Sequence, residues 1–264
     1  MGRKIVITSG KGGVGKTTVV SRLGVSLSQL GYKTLLVDMD FGLNNLDVLM
    51  GIENKIVYDI IDVIEGRCLP KQAIIQDMVE DNLYILPSIN TYCKRKFGFR
   101  ELLEILGEVE DLFDFILIDC PAGIDGGFVR AVHCANEHII VTTPHLSAIR
   151  DADKVLSNIQ LISKNTPKII INRVRGDLII DGEMLSVSSV CEYLSGELIG
   201  VIPEDDCVSR QLYKGCNFSI STDLNISFEL IAKNILGLTN RVFDCTTKYK
   251  GVLGSIRKKL KRSL

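Results

Sequence analysis

The chain opens on a short apolar run, Ile5-Val6-Ile7-Thr8, then a glycine-rich stretch. From Val19 to Leu30 apolar and polar positions recur at helical spacing. A brief continuous apolar run bounded by turn residues reads as a buried strand, and recurrence every three to four residues as an amphipathic helix. The two signatures alternate along the chain. Gly31 fits the position just past a helix end, and Thr34 to Asp38 reads as a second strand. Val57 to Gln76 is helical in pattern but interrupted at Gly66 and Pro70. Leu83 to Pro87 reads as a strand, Glu101 to Val109 as a helix and Phe113 to Asp119 as a strand. Glu137 to Thr143 is a further strand, and a helix is expected from about Ser147 to Leu161. Lys168 to Arg173 and Leu198 to Ile202 are the last strands, and Phe228 to Leu238 the last helix of the body. Alternating strands and helices predict an α/β fold, a single doubly wound domain with a mainly parallel sheet. The expected division is a domain over 1–238, a polar linker over 239–247 and a tail over 248–264.

The glycine-rich stretch carries the chemistry. Within Ser9 to Thr18, the residues Gly10, Gly15, Lys16 and Thr17 fit G-x-x-x-x-G-K-[ST], with a strand before and a helix after. That context makes a phosphate-binding loop and the domain a P-loop NTPase. Glycines let backbone N–H groups turn inward around phosphates, and the helix N-terminus adds free donors and partial positive charge. Gly12, Gly13, Val14 and Thr18 complete the cradle. Lys16 is expected to reach the β- and γ-phosphates, and the Thr17 hydroxyl to ligate Mg²⁺. Asp38 and Asp40 stand at the end of one strand, where a parallel sheet opens its ligand crevice. Asp119 ends another strand and suits a place near Mg²⁺.

Lys11 narrows the class. The form Lys11-Gly12-Gly13-Val14-Gly15-Lys16-Thr17 resembles the deviant Walker A family of ATPases, which includes septum-placing and DNA-partition proteins, the nitrogenase iron protein and arsenite pumps. The resemblance implies ATP and Mg²⁺ as ligands and a nucleotide-sandwich homodimer in which Lys11 crosses to the nucleotide of the other subunit. Asp38 to Asp47 resembles the family's switch I, D-x-D-x-G-x-x-N-L-D. By that match Asp40 positions the attacking water, Asp38 supports water and metal, and Asn45 lies near the phosphates and the dimer interface. Lys11, Lys16 and Asp40 form the implied catalytic set. Asp119-Cys120-Pro121-Ala122-Gly123 resembles switch II, with Gly123 near the γ-phosphate. The resemblance places Asn172 and Arg173 at the adenine, with the base contacted by Pro203-Glu204-Asp205, largely through backbone. In the septum-placing branch, the helix holding Arg150, Asp151 and Asp153 binds a division inhibitor and a topological factor; ordinary solvated charge explains these three residues equally well. Asn44 stands where many relatives have arginine.

Composition adds two points. No apolar run approaches the roughly 20 residues of a membrane-spanning helix, and no apolar signal segment precedes the loop, so a cytoplasmic protein is expected. The 8 cysteines include no C-x-x-C pair, and the 3 histidines are dispersed, which suggests neither a zinc site nor a disulfide framework.

The net charge of −1 conceals an asymmetry. Lys248 to Leu264 holds 7 basic and no acidic residues, while the other 247 residues carry 24 basic and 32 acidic, a net −8. At about 100° per residue, Tyr249, Val252, Leu253, Ile256, Leu260 and Leu264 share an arc of about 120° that excludes every Lys and Arg. This is the pattern of an amphipathic helix lying in an anionic membrane interface; a solvated basic tail or a nucleic-acid arm is the alternative. The expected protein is therefore reversibly peripheral on the inner face of the cell membrane. Its acidic body argues against a DNA-partition ATPase. Cys120 and Cys134 only superficially suggest cluster ligands. A flagellar-placement ATPase of the same family also carries a membrane helix.

Overall fold

The computed structural model describes residues 2–41, 45–88, 93, 96–163, 165–205, 221–251 and 254. Asn44 and the membrane-helix residues Val252, Leu253, Ile256 and Leu260 lie outside them.

An eight-stranded sheet forms the centre. Its strands are β1 (Arg3–Thr8), β2 (Thr34–Asp38), β3 (Ile75–Gln76), β4 (Leu83–Leu86), β5 (Phe115–Asp119), β6 (Glu137–Thr142), β7 (Lys168–Val174) and β8 (Glu197–Pro203). They lie in the order β3-β4-β2-β5-β1-β6-β7-β8. All pairings are parallel except β3 with β4. The central strands are buried throughout, as apolar runs covered on both faces require.

Successive side chains alternate between two cores. Three short helices, α2 (Leu46–Met50), α3 (Ile60–Ile64) and α4 (Pro70–Ala73), lie between β2 and β3 in the chain. Val6, Leu35, Val37, Ile116 and Ile118 face one side, with α5 (Phe99–Gly107), α6 (Gly126–His133) and α7 (Leu146–Ile162). Ile5, Ile7, Leu36, Leu117 and Ile139 face the other, with α1 (Lys16–Gln29) and the last long helix, Thr222–Ile235. That last helix also covers the edge of β8. Ser227 Oγ donates to the Val201 carbonyl at 2.8 Å, and Asn234 Nδ2 to the Ile199 carbonyl at 2.8 Å. Carbonyls an edge strand would leave open are thereby satisfied.

Three boundaries differ from the sequence reading. The interrupted stretch resolves into short helices at Ile60–Ile64 and Pro70–Ala73, with β3 after them. Asp59 and Asp62 close a capping box on the first, and Pro70 opens the second. The last helix begins at Thr222, not Phe228, because Ser221 caps it by accepting from Leu224 N–H.

The third correction concerns the expected linker and Tyr249. Asp244 accepts bonds from Thr246 N–H (2.8 Å), Thr246 Oγ (2.6 Å) and Thr247 Oγ (2.8 Å), and pairs with Lys250. Its carboxyl is held below the usual range, first by the Thr246 hydroxyl. Cys245 and Tyr249 are buried, and a Cβ on Gly176 would lie 1.9 Å from the Cys245 carbonyl oxygen. Lys248 reaches Asp223 at 2.5 Å. The segment before the tail is thus a packed strap. Tyr249 belongs to the body rather than to the apolar arc of a membrane helix, and Lys248 and Lys250 are spent on body acids.

Candidate nucleotide site

The loop from Ser9 to Gly15 joins the C-terminal end of β1 to α1 at the centre of the sheet. Gly13 (φ 77°) and Gly15 (φ 95°) take left-handed backbone that side chains disfavour. Nothing lies within 4 Å of a Cβ built on Gly12 or Gly13, so that side of the loop is open. Gly10 is glycine for another reason: a Cβ there would lie 2.2 Å from the Asp151 carbonyl. The main chain of α7 leans directly on the loop.

The acids meet beside it. Asp38 and Asp119 are opposite one another on paired strands β2 and β5. Burial, then the charge of Asp119, pushes Asp38 up to about 8. Burial pushes Asp119 up to about 6, opposed by the Thr17 hydroxyl bonded to it and by Lys16. Asp119 Oδ1 is buried without a hydrogen-bond partner. Asp40 is raised by burial and opposed by Lys16, and its N–H donates to Asp38 Oδ1 at 2.9 Å. Lys16 is buried, 7% exposed, among these carboxylates. Among the described residues no group of three His, Cys, Asp or Glu side chains is placed to hold a metal ion by itself. Two carboxylates with a hydroxyl suit Mg²⁺, which retains waters and takes further oxygens from substrate phosphates.

Folded Asp38 keeps its proton to about pH 8, whereas an unfolded aspartate releases it near pH ~4. The folded state binds more protons across that window, so metal-free stability falls as pH rises through it. Asp38→Asn is expected to stabilise the protein in EDTA by about 2 kcal/mol at pH ~8, with a far smaller gain near pH ~5. Melting curves at the two pH values check this; a gain that does not grow with pH contradicts it.

Gly123 N–H donates to the Ser9 carbonyl at 3.0 Å, tying the loop after β5 to the phosphate loop. Cys120 is buried, its thiol pushed up to about 12 by burial. Lys11 is exposed at the open side, and Asn45 is exposed before Leu46. The partner candidates separate. Arg150 and Asp153 are exposed, while Asp151 is half-buried, with its carboxylate on Lys154 at 3.3 Å.

On the far side of the loop, a cavity of about 120 Å³ is lined by Gly15, Thr18, Asn172, Arg173 and Pro203 to Asp205. The sequence reading assembled these residues. It missed Leu224 and Phe228, which supply an apolar wall; their spacing of four in a capped helix was the available signal. A larger open hollow of about 530 Å³ lies at the other end of the strands, by Arg3 and Lys33. Its cations are engaged, Arg3 with Glu137 and Lys33 over the Tyr84 and Phe113 rings.

A glycine cradle at a helix N-terminus, a buried lysine and two strand-end carboxylates, all on a parallel sheet, define a P-loop nucleotide-binding protein. A family model described as an AAA domain matches residues 2–171. The septum site-determining protein MinD of Bacillus subtilis is 39% identical over 261 residues, covering 97% of each chain. The MinC:MinD cell division protein complex of Aquifex aeolicus superposes with a TM-score of 0.82 at 37% identity, over 90% of this chain and 96% of that one. MinD complexed with Mg-ADP from Pyrococcus horikoshii gives 0.77 at 29%, over 89% and 96%. The chain belongs to the MinD family of septum-site-determining ATPases.

Proposed function

We propose that this protein binds Mg-ATP in the cradle, closes as a homodimer, and docks on the anionic inner face of the cell membrane through its C-terminal helix. There it recruits a MinC-type division inhibitor, and hydrolysis stimulated by MinE or another topological factor returns it to the cytoplasm. The observation that carries the reading is Lys16 buried against Asp119 and Asp40 beside an open glycine loop. Such a constellation suits a polyanion and its cation.

Phosphoryl transfer asks for placement and charge stabilisation rather than covalent chemistry. Lys16 and the loop N–H groups hold the β- and γ-phosphate oxygens. Thr17, Asp38 and Asp119 would hold Mg²⁺, and the chemistry it would supply there is charge neutralisation at the phosphate oxygens. Asp40 orients a water for attack on the γ-phosphorus, its main chain fixed by Asp38. Lys11, exposed on the open face, is free to reach the nucleotide of a second copy. Gly123, bonded to Ser9, is placed to feel loss of the γ-phosphate. The adenine takes the cavity that Leu224, Phe228 and Pro203 to Asp205 help to line.

The strap changes the tail's arithmetic. With Lys248 and Lys250 engaged on the body, Arg257, Lys258, Lys259, Lys261 and Arg262 remain for lipid. At about 1 kcal/mol each, less the cost of ordering a helix, one tail binds weakly. Two tails in one dimer bind far more tightly through effective concentration. Sedimentation with anionic liposomes is expected to pellet the protein with ATP and leave it in solution with ADP. Equal pelleting with both nucleotides contradicts the switch. ATP-dependent pelleting with DNA instead of lipid favours a partition ATPase.

A further inference from the structure

The amide of Asn172 bonds to the protein at each end. Its Nδ2 donates to the Val14 carbonyl at 2.8 Å, and its Oδ1 accepts from Arg173 N–H at 2.9 Å. These bonds assign the amide's orientation, because exchanging O and N would set donor against donor and acceptor against acceptor. The residue is 8% exposed. Arg173 has φ 57°, unfavourable for a residue with a Cβ, and lies within the break in register between β7 and β8. A side chain on Gly15 would meet Asn172 at once, its Cβ 2.4 Å from Nδ2.

We propose that Asn172 is a positioning residue for the phosphate loop, more than a reader of the base. The inference rests on the nucleotide reading above. The peptide between Val14 and Gly15 is planar and trans, so its C=O and N–H point in opposite directions. Holding the Val14 carbonyl on Asn172 turns the Gly15 N–H away from Asn172, to the side where phosphate is to lie. Lys16 follows directly. The end of β7 thereby fixes the orientation of a loop about 158 residues earlier in the chain, and Gly15 is required by this contact as well as by its φ.

Calorimetry on the full chain with Mg²⁺ tests this, using ATP, GTP and inorganic tripolyphosphate, which has no base. It is run well below the variant's own melting midpoint. Asn172→Ala is expected to weaken all three ligands by a similar factor, about tenfold, leaving the ratio of ATP to GTP affinity unchanged. Loss of ATP with tripolyphosphate unaffected, or a collapse of the ATP-to-GTP ratio, overturns the proposal and makes Asn172 a base reader. No loss for any ligand overturns it too. Asn172→Asp keeps the size and the bond from Arg173 while removing the donor to Val14; if the alanine variant does not fold, the ATP-to-GTP ratio of Asn172→Asp is the readout, since the added charge repels all three polyphosphates alike. A wild-type chain that binds none of the three removes the nucleotide reading itself.

Discussion

Lys16→Ala is expected to abolish ATP-dependent dimerisation and to lower ATP turnover by roughly 10²–10³-fold, the usual scale for losing one preorganised charge contact to the reacting group. The lysine is buried, and its charge lowers the pKa values of both Asp40 and Asp119. Removing it takes away the cation that meets the γ-phosphate. It also leaves two carboxylates facing that phosphate with less to offset them, so the variant loses attraction and gains repulsion together. Size-exclusion chromatography with ATP and with ADP reads the result. A variant that still dimerises normally with ATP refutes the loop assignment, since no other cation in the described site is buried against the acids.

Ile256→Glu is expected to free the protein from anionic liposomes in the presence of ATP while ATP affinity stays as in the wild type. An isoleucine side chain buried in the interface contributes about 2 kcal/mol, and a glutamate there adds a repelled charge. Each dimer loses the contribution twice, so the lipid-bound fraction should fall at least ~10²-fold. The strap correction sharpens this expectation. With two of the basic residues counted in the tail paired with Asp223 and Asp244, five rather than seven remain to offset an apolar defect. Pelleting that survives the substitution contradicts an amphipathic tail.

The sequence carried the centre of the molecule well and its margins poorly, for identifiable reasons. β1, β2 and β5 are continuous apolar runs whose ends are marked by glycine or aspartate, so both the strands and the catalytic edge could be read locally. The phosphate loop is a local motif too. What could not be read depends on contacts between distant segments. The Asp38–Asp119 pairing follows from β2 lying beside β5, and the Gly10 contact follows from where α7 comes to rest. The 239–247 stretch is polar and reads as a linker, yet Asp244 knots it and Gly176 opens a seat for its main chain. Tyr249 fitted the apolar arc of the tail by angle alone; burial against the body takes it elsewhere. Short helices escaped because a periodicity needs two turns to show. The start of the last helix escaped because its cap, Ser221, acts through one hydrogen bond.

The strap at 239–250 sets the length of a leash. Because the chain is moored to the domain as far as Lys250, only Gly251 separates that mooring from Val252, where the apolar residues of the tail begin in the sequence. On the proposed reading, in which the tail docks on a bilayer, a body held so short would swivel little above it. Two such moorings in the proposed dimer would hold its height and tilt, so the exposed face of α7 would meet an incoming protein at one angle. Lengthening the leash with a flexible insert after Gly251 should preserve lipid attachment while loosening that angle.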